Sequence, residues 1–401
     1  MTAQAPVDAG SRTDEIRIGI ALSAMGFVLA GLGACVAILA RDLNEPTGRL
    51  ALLSSGFAVG LMVVAVVGPR MLRRWAMPAV LALGSVVCAV GAVLIAVAPA
   101  YVVAIAGGLL VGLGGALLVL VAPLMLNGPT AASRLSRVNA VASGTGILAP
   151  LAIGTLDGLG PSGRLAMLAA APPLLLLAVL THRPARRRTR PTDADAQPPV
   201  PVLIDSAPAV GLTGKWRRVG RRVVMDVGVG WLRVVLAVAV EFCFVVWAVA
   251  RLVATGLPTA TAALLGSAFP IGMAVGRAIG PIRVNGWSPV VPSTVLAAAG
   301  TLLVSLFDVP AVVAGGLVVA GLGVAPLYPV TIAALVAIPG ISSARLAAVG
   351  AMASGTAILV APALLAVLAR VVDLRTAYLI TLPLLAVLFL LSRRSGRTSF
   401  V

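Results

Sequence analysis

The stretch RLSRVNAVASGT, Arg134 to Thr145, decides the fold because it returns as RLAAVGAMASGT, Arg345 to Thr356. Both copies keep the pattern R-L-x-x-V-x-A-x-A-S-G-T. They start 211 residues apart (134 against 345), about half of the 401-residue chain. Each runs on into an apolar segment that holds one proline, Pro150 or Pro362. The chain is 60% hydrophobic and 11% charged. A long repeat in such a chain means two related membrane-embedded halves.

No soluble chain of this length hides so much apolar surface from water. Apolar runs of about 20 residues read as transmembrane helices. Twelve are expected, at 18–40, 50–68, 76–98, 102–126, 138–158, 163–181, 229–254, 258–281, 288–307, 310–338, 346–369 and 375–392. The tenth is long enough to be broken or strongly tilted. The expected fold class is therefore all-α and integral to the membrane, with twelve helices in two pseudo-symmetric six-helix bundles.

Arginine placement sets the orientation. With both termini cytoplasmic, that side carries thirteen arginines before the ten Lys/Arg of the central loop, and the other side six. This is the positive-inside bias. It accounts for much of the net charge of +17, and nucleic acid is not needed to explain it. Residues 1–17 read as a polar cytoplasmic tail. The first span is too long for a signal-peptide core, so it is expected to be retained. The N-terminal bundle is placed at 18–181, a basic cytoplasmic linker at 182–225, the C-terminal bundle at 226–392 and a cytoplasmic tail at 393–401. Within the linker, Lys215 to Val224 alternates basic and apolar residues. It reads either as a short helix on anionic headgroups or as a solvated loop.

Cys35, Cys88 and Cys243 lie inside spans without metal spacing and read as packing residues. His182 is the lone histidine, at a helix end. There is no P-loop, no Ser/His/Asp set and no zinc spacing in the sequence. ATP-driven transport and membrane-embedded hydrolysis therefore have no machinery here, and neither enzyme activity nor a cofactor is expected.

Six spans, a cytoplasmic linker and six more resemble the major facilitator superfamily along essentially the whole chain. Three features carry the resemblance. The fifth and eleventh spans are duplicated. The fourth and tenth are glycine-rich, with Gly107-Gly108-Leu109 and Gly112-Leu113-Gly114 answered by Gly315-Gly316-Leu317 and Gly321-Leu322-Gly323. Two loops carry Gly-Pro and then arginine, as Gly68-Pro69-Arg70 with Arg73 and as Gly280-Pro281 with Arg283. The family's loop aspartate, which helps lock the halves on the cytoplasmic side, is replaced by Leu72 and Val284. The gate is then left to other contacts, with Arg73, Arg277 and Arg283 as candidates. Ser143, Gly144, Thr145, Pro150, Ser354, Gly355, Thr356 and Pro362 read first as helix packing, since close backbone approach holds helices together in lipid.

An ionisable group deep in a bilayer is costly and needs a reason. Glu241 stands eight residues after Arg233 and ten before Arg251, roughly 12 and 15 Å along a helix. It is the one acid near mid-membrane. Low dielectric disfavours its charged form, which is what a proton carrier requires; a structural, hydrogen-bonded acid is the alternative. Arg233 and Arg251 read as interfacial anchors. The resemblance implies that the seventh and tenth spans border a central cavity. Tyr328, Trp247 and Phe244 are therefore candidates for substrate contact.

These residues imply a proton-coupled secondary transporter in a bacterial cytoplasmic membrane, multi-pass and monomeric, with a small-molecule substrate, protons and lipids as partners. Few cavity charges suit an uncharged or weakly basic solute, and export is favoured over import. A sugar-like uptake permease and a non-transporting membrane scaffold remain the alternatives.

Overall fold

The computed structural model describes residues 9–50, 52–126, 131–182, 221–280 and 288–395. Arg283, Val284 and most of the central linker lie outside them. Sixteen α-helices follow one another: α1 Ala9–Asp42, α2 Thr47–Leu50, α3 Leu52–Leu72, α4 Met77–Val97, α5 Tyr101–Met125, α6 Ala131–Gly158, α7 Ala171–His182, α8 Arg221–Val253, α9 Thr259–Gly266, α10 Ala268–Ile279, α11 Val290–Leu306, α12 Pro310–Val324, α13 Leu327–Val336, α14 Ser343–Leu368, α15 Leu374–Ala377 and α16 Thr381–Ser395. Short 3-10 turns at Gly163–Ala170 and Tyr378–Ile380 lead into α7 and α16.

Among the described residues, eleven helical stretches are long and apolar enough to cross a membrane. The stretch expected as the ninth span holds only α11, an apolar helix of 17 residues. At ~1.5 Å per residue it covers about 25 Å, short of a hydrocarbon core of about 30 Å. Two boundaries differ from expectation for reasons other than hydropathy. The first helix starts at Ala9, inside the tail expected at 1–17, and ion pairs support that polar start. Arg17 meets Asp14 at 3.4 Å one turn away, and Arg137 meets Glu15 at 3.3 Å. The seventh-span helix starts at Arg221, so the end of the expected linker is helical.

Two spans break. The tenth parts at Ala325–Pro326, between α12 and α13. The eighth also parts, at Ser267, between α9 and α10. Pro270 has no N–H to give the carbonyl one turn back, and the Ser267 hydroxyl donates to the Leu264 carbonyl at 2.7 Å.

Packing repeats along the chain. α1 lies on α6 as α8 lies on α14; α3 lies on α5 as α10 on α12; α4 lies on α5 as α11 on α12; α4 lies on α7 as α11 on α16. The same glycines make these crossings. A Cβ on Gly112 would strike the Phe57 carbonyl, and one on Gly321 the Phe269 carbonyl. Gly114 lies against the backbone of Gly84 and Cys88, and Gly323 against that of Ser293 and Ala297. Backbones so close gain van der Waals contact that larger residues would prevent.

Call the end that holds the start of α1 proximal and the other distal. Each group of helices carries an arginine network distally. Arg41 grips Asp157 through two hydrogen bonds of 2.7 Å and holds Asp42 at 2.8 Å. Arg164 donates to the Ala98 carbonyl at 2.7 Å. In the later helices Arg251 donates to the Val304 and Phe307 carbonyls at 3.0 and 2.7 Å and to Asp308 at 2.8 Å, while Arg375 donates to Asp308 at 2.6 Å. Arg251 is thus a locked, 1% exposed side chain and does not snorkel as an anchor. Arg233 donates to the Leu391 carbonyl, tying α8 to α16. Asp308 lies outside the spans, and its carboxyl is held below the usual carboxylate range, first by the Arg251 hydrogen bond and then by Arg375.

Candidate functional site

Between Arg233 and Arg251, α8 is apolar except at Glu241, whose side chain is 17% exposed. Its partner comes from the last turn of α10. Arg277 Nη2 lies 3.7 Å from Glu241 Oε1, and Nη1 donates to Ser143 Oγ at 2.8 Å. Ser143 belongs to the first copy of the repeat, on α6, and its own hydroxyl proton goes to the Asn139 carbonyl at 2.9 Å. On another side Tyr328 of α13 lies near Ser354 and within electrostatic reach of Glu241, while Ser354 Oγ donates to the Gly350 carbonyl at 3.1 Å. Ser354 is the counterpart of Ser143 in the second copy, on α14. The two matching serines thus lie beside the two side chains, Arg277 and Tyr328, that approach Glu241 from opposite parts of the chain.

The sequence named Glu241, Arg277 and Tyr328, and the structure brings these three together. It does not bring Phe244 or Trp247 to them. Phe244 is fully buried, stacked on Phe269 with centroids 5.3 Å apart and tilted on Tyr378 at 5.4 Å. Trp247 is buried and donates its indole N–H to the Pro362 carbonyl at 3.2 Å. Arg73 stands apart, in a surface groove with Val67, Arg70, Met71, Arg74 and Trp75.

The rest of the repeat divides between packing and exposure. Thr145 donates into the α1–α6 contact, with the Ser23 carbonyl at 3.0 Å. Thr356 is partly buried and donates to the Met352 carbonyl of its own helix at 2.9 Å. Gly355 faces Met62, whereas nothing lies within 4 Å of a Cβ on Gly144. Pro150 and Pro362 sit inside α6 and α14.

Sequence reasoning gave Arg277 to a gate and the serines to packing. Ser143 and Ser354 were legible only through the repeat, which places both at one depth. Arg277 lies in the last turn of α10, past the break at Ser267. No group of three metal-ligating side chains occurs among the described residues.

Close approaches between the earlier and later helices gather toward the distal end. Gly33 abuts the Val245 carbonyl, Gly154 abuts Ala260 and Leu264, and Gly48 meets Ala366. The Arg277–Ser143 hydrogen bond joins the two groups of helices nearer the proximal end.

No family model and no curated protein matches the sequence. Solved structures do match in fold. A bacterial homologue of the human lysosomal transporter Spinster, inward-facing and unoccupied, superposes with a TM-score of 0.72 at 12% identity, covering 98% of each chain. A single-residue mutant of the nucleoside transporter NupG gives 0.71 at 14% identity, over 96% of this chain and 99% of its own. The E. coli fucose:proton symporter FucP gives 0.59 at 17% identity, over 95% and 99%. The chain therefore has the fold of the major facilitator superfamily transporters.

Proposed function

We propose that the protein is a secondary active transporter in which two six-helix halves, 18–181 and 226–392, rock about a site at Glu241 and Arg277. In this reading the proximal end is cytoplasmic, and the halves meet distally as in an inward-facing state. The repeated pairing of helices supports two halves, with α11 as the short ninth span. The fold is shared with transporters of nucleosides and of fucose with protons, which supports a small polar solute and the proton as cargo.

One observation carries the reading. A largely buried acid is paired across 3.7 Å with an arginine whose hydrogen bond reaches the other half. While Glu241 is charged, it holds Arg277 beside Ser143. A proton on Glu241 removes that attraction and leaves the bridge between halves to one hydrogen bond. Proton occupancy and the relative position of the halves are then linked, and a ligand that differs in affinity between two states shifts their balance. The proton gradient is thereby coupled to alternating access.

The test uses proteoliposomes with a pH-sensitive dye inside, challenged with sugars, nucleosides and carboxylates. A solute that moves protons in wild type and still binds Glu241→Gln without moving them supports the reading. Solute-driven proton flux undiminished in Glu241→Gln refutes it.

A further inference from the structure

We infer that the site takes its substrate by an acidic group: Arg277, released from Glu241, binds the carboxylate of a small molecule with Ser143 beside it. This rests on the transporter reading above and names its substrate class. Sequence reasoning saw no cation at mid-depth and favoured an uncharged or weakly basic solute. The structure supplies the cation, because the Arg277 side chain reaches from the end of its helix to the Glu241 carboxylate.

Three features single out Arg277. Its guanidinium has five N–H donors in a plane, a shape that matches a carboxylate two bonds at a time. Glu241 holds it loosely, at 3.7 Å, where a tight charge-assisted bond runs at about 2.7–2.9 Å. And its side chain is 40% exposed while that of Glu241 is 17% exposed, so the guanidinium is the accessible member of the pair. Beside it, Ser143 fixes one edge of the fork through Nη1 at 2.8 Å. Tyr328, within reach of the Glu241 charge, adds a hydroxyl on that side for a second polar group.

Charge balance gives the coupling. The Glu241–Arg277 pair is neutral in sum. A proton on Glu241 Oε leaves one uncompensated positive charge in a low-dielectric site, which is costly. A monocarboxylate restores neutrality by pairing with Arg277. Proton and anion therefore occupy the site together, and one of each crosses per cycle without net charge. Bound together, they move in the same direction, so an inward proton gradient drives accumulation rather than export. Among the described residues, Arg277 of α10 is the charged group that acts on Glu241 from another helix, and Tyr328 of α13 lies within reach of the Glu241 charge. Cys243 lies two residues along α8. The middles of α1, α9, α12, α14 and α16 carry no acidic or basic side chain, and Cys35 of α1 is buried.

The experiment is a thermal-shift titration of the purified full chain with lactate and benzoate, against lactamide and benzamide at matched ionic strength. Binding to the folded state raises its melting temperature by mass action. In wild type the acids are expected to protect and the amides not, with affinity rising about tenfold or more from pH 8 to pH 6. Glu241→Gln is expected to bind the acids equally at both pH values, near the wild-type level at pH 6. Arg277→Gln loses the acid preference at both, and Arg277→Lys regains part of it, which separates lost recognition from lost folding. Equal protection by acids and amides, no protection in either wild type or Glu241→Gln, or an acid preference that survives in Arg277→Gln overturns the proposal. Protection that needs Arg277 but ignores pH in wild type leaves the anion site standing and refutes proton coupling at Glu241.

Discussion

Replacing Gly112 by alanine puts a methyl group where α5 crosses α3. The added Cβ would sit 2.6 Å from Phe57 Cα and 2.8 Å from its carbonyl carbon, and closer still to the oxygen. Ordinary carbon contacts begin near 3.5 Å, so the helices must part by roughly 1 Å and forfeit dispersion along the crossing. All the obstructing atoms are backbone and cannot swing aside. Overpacking of this kind costs about 1–3 kcal/mol. Gly321→Ala meets the same obstacle at Phe269, with Met273 N at 2.9 Å, and the same cost is expected. Gly144→Ala and Gly315→Ala are the matched controls, since nothing lies within 4 Å of either Cβ. Relieved of glycine's entropy, those helices gain about 0.5–1 kcal/mol. The two classes differ in sign and stand roughly 1.5–4 kcal/mol apart. At about 2 °C per kcal/mol or somewhat less for a chain of this size, melting in one detergent separates them by several degrees. If Gly112→Ala melts at or above Gly144→Ala, α3 and α5 do not cross as described, and the packing repeat loses its basis.

Further outcomes follow from the distal networks and the buried aromatics. Arg251→Met strands the Val304 and Phe307 carbonyls and is expected to cost about 1–3 kcal/mol for each, whereas the 41% exposed Arg375 changed to alanine costs about 0–1 kcal/mol; equal losses by denaturant titration contradict the burial of Arg251. Asp308 has a folded pKa below its unfolded value of about 3.9, so its contribution is complete above that value and fades as the pH falls through the lower folded one. Asp308→Asn should flatten the melting-temperature profile below about pH 4, and an unchanged acid limb speaks against the network. Trp247→Phe loses one buried hydrogen bond, to the Pro362 carbonyl, at a cost of about 1 kcal/mol. It should leave ligand affinity unchanged, and a large affinity loss would return Trp247 to the substrate.

Helix placement was legible because hydropathy and the repeat act on the same segments: the apolar runs end where Arg41, Asp157 and Arg251 begin their distal networks. The start of α1 was not, because Asp14–Arg17 and Glu15–Arg137 pairs extend a helix through polar sequence. α11 has the composition of a span and too few residues. At the site, Glu241 stood out as an acid in an apolar run. Its environment did not, because its partner, Arg277, stands 36 positions later on another helix. The aromatic candidates show the opposite error. Phe244 and Trp247 share the stretch of α8 with Glu241, but periodicity does not distinguish a cavity from a neighbouring helix.

Alternating access driven by Glu241 is best tested without any substrate, by spin-label distances. One pair of labels goes at Leu159 and Val371, both distal and well exposed, and another at Trp75 and Met225, both proximal and exposed. The account predicts that between pH 8 and pH 6 the distal distance lengthens in part of the population as the proximal one shortens, and that Glu241→Gln stays in a single distribution at both pH values. Reciprocal, pH-driven changes that persist in Glu241→Gln, or distances in wild type that ignore pH at both ends, would contradict it.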